Sequence, residues 1–143
     1  MFMGEFTCKI DEKGRFMLPA KFREILQEDE FVITRGLDNS IDLFPSNEWV
    51  NIENELRKLK RTDSKHRAYQ RFVLSAATKL TVDKQGRVNL PNSLVEHAKI
   101  NKNIIVTGMV DKIEIWSEEV WKEYINKTES SIEEIVEEIN FDF

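Results

Sequence analysis

Two stretches of the chain alternate apolar and polar residues with a period of two. They are residues 5–10 (EFTCKI) and residues 79–83 (KLTVD). Because successive side chains of a strand point to opposite faces, this alternation predicts half-buried β-strands. Each stretch runs into an Asp-x-x-Gly turn sequence and then into a second short strand, at 15–18 or 87–90. Each half of the chain is therefore predicted to begin with a β-hairpin.

After each hairpin the apolar residues recur at intervals of three and four, which predicts a helix. Pro19 and Pro91 stand where the two helices begin, a position at which the missing N–H of proline costs nothing. Two further strand pairs follow, over residues 31–35 with 41–44 and 104–107 with 113–116. The pattern predicts an α+β chain made of two similar halves.

The two halves share residues at a constant offset of 72. The run Asp11–Pro19 (DEKGRFMLP) matches Asp83–Pro91 (DKQGRVNLP) at Asp, Gly, Arg, Leu and Pro. The same offset continues through Glu24 with Glu96, Ile33 with Ile105, Gly36 with Gly108, Ile41 with Ile113, and Trp49 with Trp121. One offset held without a gap indicates that a single module was duplicated.

The duplication divides the chain into four predicted segments. They are a first module over residues 5–49, a helical insert over 50–76, a second module over 77–121, and an acidic amphipathic C-terminal tail over 122–143. A module this small buries too little apolar surface to be stable alone. We therefore expect the two modules to pack together as one closed or half-open β-barrel with peripheral helices.

Composition limits the class of protein. A hydrophobic fraction of 41%, with nine Phe and three Trp, is sufficient for a core. The sequence has no apolar run of membrane-spanning length and no signal-peptide pattern at its start, so we expect a cytoplasmic protein without a membrane partner. The lone Cys8 excludes an internal disulfide and cysteine-rich zinc sites, and neither His66 nor His97 has metal-ligand spacing around it. No metal or cofactor is expected.

The net charge of −5 at first argues against a nucleic-acid partner. However, residues 117–143 carry nine acidic side chains and only two basic ones, which leaves a small positive excess on the rest of the chain. Seven Lys or Arg residues lie between Ile52 and Ser75, against three acidic residues. DNA responds to the local field within a Debye length of about 8–10 Å, so the net charge is a weak objection.

The two turns carry the side chains best suited to DNA. If Phe16 points inward, Arg15 points outward, and the same alternation places Arg87 outward. A guanidinium group can donate two parallel hydrogen bonds to a phosphate or to guanine, and an adjacent glycine lets the backbone approach a phosphate closely. The predicted DNA-binding residues are Lys13, Gly14, Arg15, Gly86 and Arg87.

Asp11 and Asp83 each precede a turn arginine by four residues. They are predicted to support the DNA-binding loops by accepting hydrogen bonds from the arginine or from turn amides. The alternative for each Asp–Arg pair is a simple surface ion pair, worth about 0–1 kcal/mol. Since the second turn has Gln85 in place of Lys13, it is read as less basic, and the first module is predicted to dominate DNA contact.

The paired D-x-x-G-R-x-x-L-P motifs, the initial MFMGEF, and Gly108 followed by Ile113–Trp116 resemble the MraZ family of bacterial regulators. The resemblance runs from Met1 to about Trp121. It implies two SpoVT–AbrB-type modules whose swapped hairpins form a double-split β-barrel, and subunits that close into homo-oligomeric rings. It also implies a nucleoid-associated protein that binds repeated DNA boxes in the promoter of a cell-division and cell-wall gene cluster, which includes its own gene.

We therefore predict a sequence-specific DNA-binding transcriptional regulator whose partners are double-stranded DNA and further copies of itself. An AbrB-like antitoxin that binds DNA and a toxin protein is the alternative, which the acidic tail keeps open. A third hypothesis is a purely structural ring protein. An enzyme is not expected, because the sequence contains no serine-triad, Walker or dinucleotide-binding pattern. The sequence leaves open the operator, the ring size, the direction of control, the role of the tail and whether the basic insert touches DNA.

Overall fold

Residues 1–140 are described by the computed structural model, and the last part of the predicted tail, residues 141–143 with Asp142, lies outside the described residues. Helices and strands follow one another in the same order in the two halves. Within residues 1–140 they are β1 (Glu5–Lys9), β2 (Arg15–Met17), α1 (Ala20–Leu26), β3 (Phe31–Arg35), β4 (Ile41–Pro45), α2 (Ser46–Arg57), α3 (Ser64–Leu74), β5 (Thr78–Leu80), β6 (Arg87–Asn89), α4 (Asn92–His97), β7 (Asn103–Gly108), β8 (Ile113–Ser117), α5 (Glu118–Glu129) and α6 (Ile132–Ile139).

The strands form two antiparallel sheets in which the halves interleave. Six strands pair in the order β1-β7-β8-β4-β3-β5, and β2 pairs with β6 as a separate two-stranded ribbon. β1 of the first half thus pairs with β7 of the second, and β3 pairs with β5. The mixed α+β class is confirmed. Neither half completes its own sheet.

The described strands do not close into one barrel. The six-stranded sheet is open, with β1 and β5 at its edges. β2 leaves its neighbour β1 after a single bridge, between Ile10 and Phe16, and then pairs with β6. This exchange between the halves separates the ribbon from the larger sheet. Of the two forms expected, a closed or a half-open barrel, the closed barrel is therefore wrong, and the double-split barrel stays a prediction.

The main core joins the six-stranded sheet to α1, α4 and the ribbon. Phe16 from β2 and Val88 from β6 point into it together with Phe22 of α1 and Leu94 of α4, each 1% exposed or less. Phe2 packs edge-on against Phe22 at a ring-centroid distance of 5.5 Å. Full burial of a large apolar side chain contributes about 1.5–3 kcal/mol, so these residues fix the ribbon and both short helices to the sheet.

The other face of the sheet is covered by longer helices at equivalent places in the two halves. α2 and α3 cover β3 and β4, where Trp49 is buried against Phe44 and Val73. α5 covers β7 and β8, where Trp121 packs edge-on against Trp116. α2 and α5 begin and end at the same offset of 72. The helices after each module therefore follow the repeat as well.

The uniform offset fails for one strand. Cross-strand pairing places Ile33 opposite Leu43 and Val106 opposite Ile115. Leu43 and Ile115 are 72 residues apart, so Ile33 corresponds to Val106 and not to Ile105. One extra residue between α4 and β7 shifts the strand, and a β7–β8 turn that is shorter by one residue restores the offset. Since a shift of one residue exchanges the faces of a strand, the pairings of Ile33 with Ile105 and Gly36 with Gly108 are wrong.

α6 exposes an apolar stripe. Its Ile132, Val136 and Ile139 are 49%, 41% and 60% exposed, and glutamates occupy its opposite face.

None of the helices within residues 1–140 combines the length and the apolar character needed to cross a bilayer.

A largely buried ion pair joins the two halves. Lys112 Nζ lies 2.9 Å from Asp42 Oδ1 and 3.2 Å from Glu114 Oε2. Burial raises the pKa of the Asp42 carboxyl, although the charge of Lys112 opposes that effect. Burial opposes the charge of Lys112 too, but the two carboxylates outweigh it and raise the pKa of the ammonium group. The lysine therefore holds the β4–β8 contact by neutralising two acids.

Replacing Lys112 by Met is expected to lower the free energy of unfolding by about 2 kcal/mol at pH 7, because it leaves two carboxylates without their cation. Urea unfolding measures this loss, and it should shrink as the pH falls towards the pKa of Asp42, where protonation removes one of the two unpaired charges. The control is Lys21→Met on the exposed surface of α1, expected to change stability by less than about 0.5 kcal/mol. Equal stabilities for the two variants would contradict this account.

Candidate nucleic-acid interface

Each arginine-bearing turn is held by one aspartate. Asp11 Oδ1 accepts hydrogen bonds from the backbone N–H groups of Lys13 and Arg15, both at 2.9 Å. Asp11 Oδ2 accepts from Arg15 Nε at 2.8 Å. Gly14 adopts a φ of 83°, a conformation that glycine reaches without steric cost. The sequence D-x-x-G-R thus specifies a closed turn with the arginine at its exit.

The second turn repeats these contacts. Asp83 Oδ1 accepts from the backbone N–H groups of Gln85 at 2.9 Å and Arg87 at 2.8 Å, and Oδ2 accepts from Arg87 Nε at 3.0 Å. Gly86 has a φ of 82°. The internal repeat therefore extends to individual hydrogen bonds.

The turn hydrogen bonds lower the pKa of both aspartates. For Asp11 the largest cause is the backbone N–H of Arg15, ahead of the Arg15 guanidinium, with desolvation acting in the opposite direction. Asp83 has the same causes in the same order, with Arg87 as the donor. A backbone N–H group therefore lowers the pKa of each aspartate more than any other group does, as expected for a carboxylate that closes the turn.

The aspartates leave the outer edge of each guanidinium free. Each carboxylate contacts Nε alone, and no residue among 1–140 forms a hydrogen bond with the terminal nitrogens of Arg15 or Arg87. The two side chains are 31% and 29% exposed. A guanidinium that is fixed at Nε presents its two terminal nitrogens as a planar fork, which suits a ligand with two acceptor atoms.

The ribbon brings the two arginines to one surface. In its register Phe16 lies opposite Val88, and both are buried. Because neighbouring side chains along a strand alternate, the residues on either side of this pair point away from the core. We call this outward surface the ribbon face; it consists of Arg15, Met17, Arg87 and Asn89.

Each turn is also fastened to the other half of the chain. The backbone N–H of Leu90 donates to the carbonyl of Gly14 at 2.8 Å, and that of Leu18 donates to the carbonyl of Gly86 at 3.0 Å. Leu18 and Leu90 are themselves buried in the main core. The two turns are therefore fixed relative to each other by the core.

Arg23 contributes a cation to the second turn. It lies on α1, close enough that a Cβ atom at Gly86 would fall 2.5 Å from its Nη1, and its buried Nε has no hydrogen-bond partner within residues 1–140. The repeat equivalent of Arg23 is Val95, so the comparison of the motifs gave no indication of it. In addition, Glu12 offsets Lys13 in the first turn, whereas the second turn contains Lys84. The interpretation of the second turn as the less basic one therefore does not hold.

Two basic residues of the helical insert and both histidines have local structural partners. On the helical insert, Lys58 pairs with Glu55 at 2.9 Å, and the Arg67 guanidinium donates to the carbonyl of Arg61. His97 of α4 lies within hydrogen-bond distance of the carbonyls of Gly36 and Ser40, and His66 Nδ1 accepts from the backbone of Lys60. In the part of the chain that the structure describes, no group of His, Cys, Asp and Glu residues is arranged to hold a metal ion.

Comparison with known proteins agrees with the repeat. A family model described as "MraZ protein, putative antitoxin-like" matches twice, over residues 1–72 and 73–141. A protein named transcriptional regulator MraZ from Natranaerobius thermophilus is 49% identical over 97% of this chain and 96% of its own length. Proteins of the same name are 48% identical in Desulforamulus reducens, over 97% of both chains, and 46% identical in Limosilactobacillus reuteri, over the whole of both chains.

In an Arg15→Ala variant we expect the pKa of Asp11 to remain below its ordinary value, because the backbone N–H groups of Arg15 and Lys13 still donate to the carboxylate. Carbon-detected NMR titration of the Asp11 carboxyl measures this. Because the pKa is lowered in the folded state, the stabilisation is present above the pKa of the unfolded chain and is lost as the pH falls through the folded value.

The matched comparison for that titration is Gly14→Ala. It forces a side chain into positive φ and puts its Cβ 2.7 Å from the carbonyl oxygen of Leu90, so the turn must open and the pKa of Asp11 should return to its ordinary value. If Arg15→Ala alone restored the ordinary pKa, the ion pair and not the backbone would hold the turn.

Proposed function

The chain belongs to the MraZ family, and we propose on that basis that it is a transcriptional regulator that binds double-stranded DNA through the two turns of the ribbon. The proposed contact residues are Lys13, Gly14, Arg15, Gly86 and Arg87, with Asp11 and Asp83 supporting the turns. The observation that carries the proposal is the pair of guanidinium forks on one surface, each fixed at Nε and open at its terminal nitrogens.

The geometry suits a polyanion with regular spacing. Arg15 and Arg87 are diagonal neighbours across the ribbon, and such residues are about 7–8 Å apart, with their Cβ atoms somewhat closer. Because the turns are already rigid, little conformational entropy is lost when DNA binds. Gly14 and Gly86 are buried, and neighbouring protein atoms occupy the space that a side chain at either position would need, so their part in the proposal is to permit the positive φ of the turns. The turns therefore combine positioning contacts with two donors that can reach base edges.

One subunit makes few phosphate contacts, and each contributes a slope of about −0.9 to the dependence of log affinity on log salt. We propose that subunits assemble into a homo-oligomeric ring and that several ribbons engage repeated boxes together. Linked sites can raise avidity by about 10² to 10⁴ over a single site. One apolar surface supports self-assembly, the exposed stripe of Ile132, Val136 and Ile139 on α6.

Membership of the MraZ family also suggests a DNA target and a cellular location. The boxes are those of the promoter upstream of a cell-division and cell-wall gene cluster, including the regulator's own gene, and the protein is cytoplasmic and nucleoid-associated. The modules are residues 5–49 and 77–121, with an insert over 50–76 and a tail over 122–143. The exchange of β2 and β6 between the halves supports a swapped-hairpin, double-split barrel arrangement. No catalytic activity is proposed.

An antitoxin is the second candidate. The acidic face of α6 supports it, because an exposed amphipathic helix of this charge suits a small basic protein partner. Purification of the chain from its own cells distinguishes the two functions. Stoichiometric recovery of a small basic protein, lost when Ile132, Val136 and Ile139 are replaced by Ser, would favour the antitoxin.

Arg15→Ala is expected to abolish the preference for the upstream region of the chain's own gene over shuffled DNA, while assembly is unchanged. Fluorescence anisotropy across a salt series measures binding, and light scattering on the same samples measures mass. The loss is large because every subunit of an assembly loses the same contact.

The control for this substitution is Arg71→Ala, which removes an exposed arginine of α3 and is expected to leave the preference for the upstream region intact. Normal binding by Arg15→Ala would refute the assignment of the turns. Equal losses in the two variants would instead assign DNA contact to the basic helices as well as to the ribbon.

A further inference from the structure

We infer that Asn89 and Met17 read base edges in the DNA major groove, Asn89 by hydrogen bonding and Met17 by apolar contact. The inference rests on the proposed DNA-binding function and deepens it. Neither residue belongs to the repeated motif, since Met17 and Asn89 differ where Arg15 and Arg87 agree. Their place beside the arginines follows from the pairing of β2 with β6.

The register puts each of these residues opposite an arginine of the other half. Asn89 pairs with Arg15, and Met17 pairs with Arg87. Side chains directly opposite each other in an antiparallel pair have Cβ atoms about 4.5–5.5 Å apart. Met17 is 48% exposed, and Asn89 is exposed as well. A surface that lies across both arginines is therefore within reach of these two side chains.

Each of the two residues also lies against the glycine of the opposite turn. A Cβ atom at Gly14 would lie 3.5 Å from Asn89 Oδ1, and one at Gly86 would lie 3.0 Å from Met17 Sδ. The glycines thus leave space that these side chains fill. The ribbon face has two ends, one formed by Arg15 with Asn89 and one formed by Arg87 with Met17.

The chemistry of the two ends is suited to different base pairs. The side-chain amide of Asn89 has no hydrogen-bond partner within residues 1–140, and an asparagine amide matches the N6 donor and N7 acceptor of adenine. Met17 offers an apolar surface of the kind that contacts a thymine methyl group. A two-stranded ribbon fits the major groove, which is about 12 Å wide.

The two arginines and their neighbours Asn89 and Met17 have different roles in DNA binding. Arg15 and Arg87 are fixed by Asp11 and Asp83 and occupy the same place in both halves, so they set the orientation of the ribbon on the duplex in addition to donating to base edges. Asn89 and Met17 are uncharged, so their contacts add little to affinity for DNA of arbitrary sequence. Their contribution is discrimination between base pairs.

The test is selection from a randomised duplex library by the full-length chain and by the variants Asn89→Ala and Met17→Ala. We expect Asn89→Ala to lose about tenfold in discrimination at one base pair and Met17→Ala to lose several-fold at a different one. Affinity for shuffled DNA and the salt dependence should not change, because no charge is removed. Thermal unfolding verifies that each variant is folded.

Matched controls are available on other surfaces. Met109 is 49% exposed, almost the same as Met17, and Asn101 is an exposed asparagine in the connection before β7. Met109→Ala and Asn101→Ala should select the same sequences as the unmodified chain. If Asn89→Ala and Met17→Ala also do so, the inference is overturned. In that case a loss of binding in Arg15→Ala would still support the proposed function, whereas an unmodified chain that selects no sequence at all would refute both.

Discussion

The pairing of β2 with β6 is the contact on which the rest of the site depends. Three cross-strand pairs bury Phe16 and Val88 in the main core and, by the same alternation, turn four side chains outward. Because the two strands come from different halves of the chain, the site cannot form until both halves have folded together. Stability and the binding surface are thus consequences of one register. A shift of one residue would bury the arginines and expose the core.

The two turns place hydrogen-bond donors on the surface that this register creates. An arginine on a free surface loses much of its side-chain entropy when it binds a ligand. Here each aspartate accepts a hydrogen bond from Nε of its arginine and two more from backbone N–H groups of the turn, so the fold of the turn holds the guanidinium group. The guanidinium forks are positioned before any ligand arrives. Rigidity at the turn is therefore the physical reason to combine Asp, Gly and Arg at this spacing.

Local sequence patterns predicted the features that depend on neighbouring residues. The period of two and the D-x-x-G-R spacing identified the strands, the turns and the outward direction of Arg15. The same alternation also assigns Met17 and Asn89 to the outer face, but nothing in their residue types drew attention to them. Contacts between distant segments were not predictable in this way: Arg23 reaches the second turn only through the packing of α1.

The repeat itself caused one error of prediction. Matching residues at a fixed offset misses an insertion that a later deletion cancels. Here one extra residue displaces β7, and the shorter turn after it restores the offset for β8. β-Branched residues occupy both faces of β3 and β7, because the sheet is covered on both sides. The hydropathy pattern of the sequence therefore does not show the displacement. Only the cross-strand register reveals which residue faces the core.

Duplication followed by divergence separates two properties that a single module would have to combine. The residues that agree between the halves, Asp, Gly, Arg and the core leucines, build a frame with approximate two-fold symmetry. Three of the positions that differ lie on or beside the ribbon face: Met17 against Asn89, Lys13 against Gln85, and Arg23 against Val95. A change at one of these positions alters one end of the face and leaves the hydrogen bonds of the turns intact. The frame therefore fixes where the two ends meet a ligand, while the divergent residues are free to determine which ligand each end prefers.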